Sequence, residues 1–355
     1  MNDDSATIRG RGAANNPPNR FERERYERDP DSIDPDDEEP APTTQFLPDA
    51  SRSAIATNDS PDVGFDASIN PYRGCEHGCA YCYARPTHEY LGFSAGLDFE
   101  TKIMVKHDAP ELLRRELGSA RWQPKLLAMS GVTDAYQPVE RRLRLTRRCL
   151  EVLVEFRNPV AIITKNRLVT RDIDLLGALA EHHAAAVFVS ITTLDAALAR
   201  RLEPRTSPPA FRLQAIAALT QAGIPVGVMA APMIPGLNDH EMPAILTAAA
   251  EAGARHAGYT VVRLPLAVAP LFEDWLTRHV PDRKDKILSR LRSMRGGRLN
   301  VSRFGERMGG KGLLADMIHQ LFDKTCRTVG LRRGGPELST AAFRRPQGEQ
   351  LRLFD

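Results

Sequence analysis

From Val63 onward, short continuous apolar runs alternate with amphipathic stretches of helical period, and this alternation constrains the fold more than any other feature of the chain. Runs at Ala67–Asn70, Lys125–Met129, Pro159–Thr164, Ala186–Thr192, Pro225–Ala231 and Ala257–Val262 read as strands, being short and apolar, with Pro159–Thr164 also rich in β-branched residues. Between and after them, Pro110–Leu117, Leu145–Phe156, Ile173–His182, Phe211–Ala222 and Met242–Ala252 read as helices, and a sixth follows Val262. Strands this uniformly apolar are buried on both faces, as in a parallel sheet covered by helices. With 355 residues, 42% of them hydrophobic, the chain can build one large core or two modest ones. Periodicity alone leaves an open doubly wound sheet and a barrel or part-barrel as alternatives.

The first predicted strand runs into Asn70-Pro71-Tyr72-Arg73-Gly74-Cys75-Glu76-His77-Gly78-Cys79-Ala80-Tyr81-Cys82-Tyr83, which places three thiols within eight residues among turn-forming glycines. Three soft ligands at this spacing suit three irons of a four-iron cluster and leave the fourth iron without a protein ligand. A structural zinc site wants four ligands, commonly as two separated pairs. No second cysteine pair exists here, although His77 or His88 offers a fourth donor. Cys149 and Cys326 lie in apolar helical patterns and read as core residues. No secretory signal or membrane-spanning run is visible, so clustered thiols point to metal binding in a reducing cytoplasm.

Polar groups fall where the other strands end, the position of working loops in a barrel. Ser130–Pro138 follows the second strand and contains Thr133 and Asp134. Lys165 emerges from the third, and an ammonium there requires a partner unless it reaches solvent. Ser190 and Thr192 alternate about Ile191 and so share one strand face. Asp195 is placed to cap a following helix, and Glu203, Pro204 and Arg212 put charge beside a proline-containing loop.

Cys-x3-Cys-x2-Cys with Tyr81 before its last cysteine resembles the signature of the radical S-adenosylmethionine (SAM) superfamily. Together with Ser130–Asp134, Ile163–Lys165, Val189–Thr192, Glu203-Pro204 and Ala231–Pro235, it resembles the spore photoproduct lyase-like branch over residues 65–265. The resemblance implies an α/β fold, a (βα)6 partial TIM barrel of the radical SAM type spanning residues 63–268, with the cluster loop after its first strand. It implies a [4Fe-4S] cluster on Cys75, Cys79 and Cys82 whose open iron chelates SAM. It further implies SAM contacts from Tyr81, by backbone near the adenine, and from Thr133, Asp134, Lys165 and Ser190, with Thr192 on the same strand face. In that branch an electron donor of flavodoxin or ferredoxin type reduces the cluster, and SAM is cleaved to methionine and a 5′-deoxyadenosyl radical that abstracts hydrogen from a substrate. One departure matters: Gly131 stands where the lyase carries a hydrogen-donating cysteine, so the lyase's own repair route is not implied and no catalytic hydrogen donor is assigned.

Outside the barrel, residues 1–62 carry a charge run and a proline-acid block and read as a disordered charged arm; residues 1–40 hold 12 Asp/Glu against 6 Arg. Residues 269–333 read as a basic helical extension, with helices at Pro270–His279, Asp282–Met294 and Leu313–Thr328, the last expected across the barrel's open side. From Arg278 to the end there are 18 Lys/Arg against 8 Asp/Glu, a surface suited to nucleic acid or simply to solvent. Residues 334–355 read as a flexible tail. Its Gln350, Leu351, Leu353 and Phe354 resemble the peptide by which bacterial repair proteins dock on the replication sliding clamp, and such apolar side chains suit a partner's groove. Tail, basic surface and lyase-like core together make DNA the expected substrate, with a role in repair or modification. Two alternatives stand: the same enzyme acting on a small molecule or protein, and a non-enzymatic, metal-centred nucleic-acid-binding module.

Overall fold

The computed structural model describes residues 8–22 and 42–346. Six strands form the parallel heart of the fold: β1 (Ala67–Ile69), β2 (Leu127–Met129), β3 (Val160–Thr164), β4 (Ala185–Ser190), β5 (Val226–Met233) and β6 (His256–Val261). They pair in chain order, with Ala67 beside Leu127, Leu127 beside Val160, Val160 beside Ala185, Val187 beside Val226 and Gly227 beside His256. Among the described residues β1 and β6 do not pair with each other. The outer edge of β1 is taken by Ile55–Thr57, antiparallel to it, and that of β6 by Arg332–Arg333. The result is the open (βα)6 barrel expected from the sequence.

Helices α1 (Ala109–Gly118), α2 (Leu145–Phe156), α3 (Ile173–Ala180), α4 (Pro209–Gln221), α5 (Met242–Glu251) and α6 (Val268–His279) follow the six strands in turn. In α2, Leu145, Cys149, Leu150, Val152, Leu153 and Phe156 are buried, a helical spacing that turns one face to the sheet. Cys149 and Cys326 are core residues. β5 extends to Met233, past the Ala231 end expected from sequence, and its pairing with β6 shifts register between Tyr259 and Val261. Pro232 sits in that irregular stretch, and proline has no N–H to give a ladder.

Three features lie outside what composition suggested. Within 1–62, the described residues are ordered by specific partners. Gln45–Pro48 pairs with Lys102–Val105, which also pairs with Tyr72–Arg73, making a second, three-stranded sheet at the start of the cysteine loop. Residues 335–346 run under the barrel, at the end opposite the strand C-termini: Ser339 N donates to His183 O and Arg344 N to Phe156 O, and Phe343 packs on Phe156 with ring centroids 6.3 Å apart. The helix Leu313–Val329 packs on α5 and on β6, with Phe322 4.7 Å from the Tyr259 ring, and not across the open side as expected. Gln350, Leu351, Leu353 and Phe354 lie outside the described residues.

Candidate active site

The cysteine loop is held from three directions. Gly74 and Gly78 take positive φ angles of 79° and 65°, and a Cβ at Gly78 would come within 2.8 Å of Glu100 Oε2, so both the turn and the packing call for glycine. Inside the loop, Gly78 N donates to Cys75 O and Cys82 N to Cys79 O. From the following segment, Cys75 N donates to Phe99 O, while the Arg85 guanidinium donates to Cys79 O and pairs with Glu100 at 2.5 Å, both side chains fully buried. From across the barrel, Ala80 N donates to Leu202 O and Arg205 N to His77 O. Over the outside lies the segment 8–22, whose Gly12 and Ala13 amides donate to the Glu100 carboxylate.

Thr133 and Asp134 act on this loop as struts. Thr133 Oγ1 donates to Gly74 O at 2.8 Å, and Gln137 Nε2 donates to both Gly74 O and Thr133 Oγ1, while Gln137 Oε1 accepts from Glu76 N. Asp134 accepts from Thr164 Oγ1, Lys165 N and Tyr136 N, and lies 3.4 Å from His77 Nδ1. It therefore ties the ends of β2 and β3 to the cysteine loop. Burial alone would lower the His77 imidazole and raise Asp134. Their mutual attraction outweighs it, aided for His77 by the Cys75 thiol, and holds His77 up at about 10 and Asp134 down at about 2.

Tyr81, Thr192 and Lys165 converge on Glu203. Tyr81 donates its hydroxyl to Glu203 and approaches Thr192 Oγ1 at 3.2 Å; Thr192 Oγ1 lies 2.5 Å from Glu203 Oε1 and 3.0 Å from Ala231 O. Lys165 Nζ donates to Ala231 O at 3.2 Å and sits 3.8 Å from Glu203 and 6.0 Å from the centre of the Tyr81 ring. Behind Glu203, the buried Arg212 pairs with it and donates to Ser190 O and Ser207 O. Burial raises Glu203, but Arg212 and Lys165 prevail and hold it at about 2. Ser190 is buried at the end of β4, beside this network. The residues singled out at separate strand ends are thus brought to one end of the barrel, around the thiols.

All five cysteines are free. Cys75 packs with Ala84 and Phe99 in an apolar patch against which Cys82 and Val132 lie. His77 is occupied at both nitrogens, by Asp134 and by Asn166 Nδ2, and His88 Nε2 is 2.9 Å from Lys102 O. His77 is thus not presented as a fourth zinc ligand, whereas His88 Nδ1 is buried without a hydrogen-bond partner among the described residues. Three soft sulfur donors on one sheltered loop fit the iron of an iron–sulfur cluster, with an apolar wall that limits solvent access. The shelter pushes Cys79 up, with Glu203 adding to it, and Cys82 to about 11, so a metal held there would have to displace the thiol protons.

Sequence reasoning did not single out Arg85, Glu100 or Gln137. Arg85 and Glu100 look like ordinary surface charge in a row of letters; their only signal is nearness to the cysteines. Gln137 stands in the Ser130–Pro138 stretch, four residues after Thr133, a spacing that lets both side chains reach Gly74.

Comparison with known proteins agrees with this geometry. The sequence model of the radical SAM superfamily matches residues 69–249. An uncharacterised protein of Mycobacterium tuberculosis is 38% identical over 234 residues, covering 65% of this chain and 67% of that protein. One from Methanocaldococcus jannaschii is 31% identical over 173 residues, covering 49% and 62%. Among solved structures, spore photoproduct lyase complexed with dinucleoside spore photoproduct superposes with a TM-score of 0.59 over 81% of each chain at 15% identity. A mutant of that lyase with bound AdoMet and dinucleoside spore photoproduct gives 0.57 over 81% and 80%, also at 15% identity. At that identity the likeness is one of fold.

Proposed function

Because this chain belongs to the radical SAM superfamily, we propose that it holds a [4Fe-4S] cluster on Cys75, Cys79 and Cys82, binds SAM against it, and directs the resulting radical chemistry at DNA. Membership itself makes the chain an enzyme that uses SAM and an iron–sulfur cluster and needs a reductant; the cluster type, the SAM contacts and the substrate are our reading. The observation that carries it is the meeting of three free thiols with Tyr81, Lys165, Ser190 and Thr192 at one end of the barrel.

When bound, the cluster supplies the single electron that cleaves SAM reductively. The protein's own residues do the rest by position. Lys165 is a cation held beside Tyr81 and Glu203, suited to a carboxylate of the bound cofactor. Thr192 and Tyr81 are fixed by Glu203, so the wall facing the cofactor is ordered before it arrives. Thr133, through Gly74, and Asp134, through His77 and Lys165, set the cysteine loop against the ends of β2 and β3. No acid–base pair is required for the cleavage, in keeping with carboxylates here that are held ionised by buried cations.

DNA is favoured over a small molecule by the excess of Lys/Arg after Arg278 and by the Gln350–Phe354 peptide, which we read as a docking segment for the sliding clamp. Among the described residues no helix is long and apolar enough to cross a membrane.

Anaerobic reconstitution tests the reading. A preparation that binds about three or more irons per chain and releases 5′-deoxyadenosine on reduction with SAM supports it; stoichiometric zinc without SAM cleavage defeats it. Deuterium passing from labelled DNA into 5′-deoxyadenosine supports the substrate, and transfer from a peptide or metabolite alone rejects it. A Leu353→Ala/Phe354→Ala chain that retains as much clamp as wild type removes the docking role.

A further inference from the structure

Beyond β6, at the end of the barrel that holds the cysteine loop, stands a guanidinium with no ion pair among the described residues. Arg263 lies two residues past Val261, and its Nε is buried without a hydrogen-bond partner among the described residues. Its one polar contact among the described residues is from Nη1 to Met308 Sδ at 3.8 Å. Its Cζ sits 5.1 Å from the centre of the Tyr83 ring, and Tyr83, the residue after Cys82, donates its hydroxyl to Gly131 O beyond β2. Arg263 and Tyr83 therefore face each other across the gap between the first and last units of the open barrel.

Two more guanidiniums stand close by. Arg307 is paired with Asp62 and lies 4.6 Å from the Phe304 ring; Arg295, 4% exposed, donates to Val262 O and Leu299 O. The nearby carboxylates are taken up, Asp62 by Arg307 and Gly305 N and Glu306 by Arg303 and Lys311. Val261 N donates to Met308 O, which fixes this glycine-rich segment against β6. Burial and then Arg307 lower Arg263, and the opposing pull of Tyr83 and Asp62 does not offset them. Five basic side chains, Arg263, Arg295, Arg303, Arg307 and Lys311, against two carboxylates, Asp62 and Glu306, leave an excess of positive charge, and an unpaired sheltered guanidinium is costly unless an anion completes it. Guanidinium forks match phosphate oxygens in geometry. The two rings beside them, Tyr83 at 48% and Phe304 at 50% exposure, offer open aromatic surface of the kind on which unpaired bases stack.

We propose that Arg263 binds a backbone phosphate of an unpaired nucleic-acid strand, with Tyr83 and Phe304 flanking the adjacent base. This deepens the DNA-directed reading and rests on it for the substrate class. It places the phosphate beside the cysteine loop, so the bound nucleotide lies next to the radical source.

The test is anisotropy of a short fluorescein-labelled oligothymidylate with the full chain, over a range of salt concentrations. Arg263→Gln is expected to weaken binding about tenfold and to reduce the slope of log affinity against log salt by about 1. A neutral methylphosphonate strand is expected to bind wild type and variant alike. Unchanged affinity and slope, or equal loss on the neutral strand, overturns the proposal. Preference for the fully paired duplex overturns the unpaired strand, and equal binding of a ribo-oligonucleotide keeps the phosphate site while removing its restriction to DNA. Should Arg263→Gln fail to fold, wild-type protein answers the question: phenylglyoxal modification of Arg263, read by peptide mass mapping, is expected to be suppressed by saturating oligothymidylate, and an unchanged rate overturns the site. Binding needs neither SAM nor reduction. A chain that cleaves SAM but shows no Arg263 effect loses this proposal alone, and one that cleaves none yet shows the effect loses the radical reading alone.

Discussion

Glu203 and Arg212 form an ion pair whose side chains are 0% and 1% exposed, and hydrogen bonds of both side chains reach the site. Glu203 carries Tyr81 and Thr192, and Arg212 carries the backbone of Ser190 and Ser207. Breaking a buried pair leaves one charge uncompensated, so Arg212→Met is expected to lower stability by about 3–5 kcal/mol. Arg212→Lys recovers little, because an ammonium lacks the fork that reaches Ser190, Ser207 and Glu203 together. Urea unfolding followed by circular dichroism measures both; a loss under about 1 kcal/mol for Arg212→Met contradicts the assignment.

The same carboxylate makes stability depend on acid. Glu203 is held at about 2 in the fold against 4.5 when free, so its contribution is complete above pH 4.5 and disappears as pH falls toward 2. Below 4.5 the unfolded chain takes up the proton first, which draws the equilibrium toward unfolding. The contribution is on the order of 3 kcal/mol. Urea midpoints of metal-free wild type and Glu203→Gln, compared between pH 6 and 2.5, are expected to converge as pH falls; parallel curves refute the linkage.

Removing any of Cys75, Cys79 or Cys82 by alanine substitution is expected to abolish the iron-dependent visible absorbance after reconstitution, with the far-ultraviolet spectrum preserved. Cys149→Ala and Cys326→Ala keep full iron. Cys149 is fully buried in α2 and is expected to lose about 1 kcal/mol on truncation. Full iron binding in Cys79→Ala places the cluster elsewhere.

Gly12→Ala tests the segment over the cysteine loop. A Cβ there would stand 1.9 Å from Gly78 O, a clash with backbone that the segment relieves only by lifting. About 1–3 kcal/mol of local stability is expected to be lost, read as faster hydrogen exchange at the Gly12 and Ala13 amides and earlier cleavage within residues 8–22. Unchanged exchange and cleavage speak against the contact.

How much of this was legible in the sequence follows from what each element buries. The six strands were found near their observed positions because parallel strands covered on both faces leave unbroken apolar runs. The cysteine loop was legible because three thiols stand within eight residues, and the fold brings that loop to the ends of the strands. Arg85–Glu100 was not, since a buried ion pair and a solvated one have the same letters; only burial separates them. Residues 8–22 and 335–346 are poor in large apolar side chains and so read as unstructured. They are held instead by backbone donors and acceptors reaching distant partners, such as Arg344 N on Phe156 O. Asp134 was identified as a site residue, but its direct partners are Thr164, Tyr136, Lys165 and His77, a bracing role no local pattern encodes.

The segment over the cysteine loop has a bearing on the order of assembly. Ala13 and Glu100 are separated by 87 residues, and Tyr81 and Glu203 by 122. Residues 8–22 are therefore synthesised well before the surface that receives them, and the loop's far anchor is made later still. Closing such long loops costs entropy that only the finished partners offset. During synthesis the three thiols thus pass through a period when nothing covers them, and metal delivered then meets an open loop.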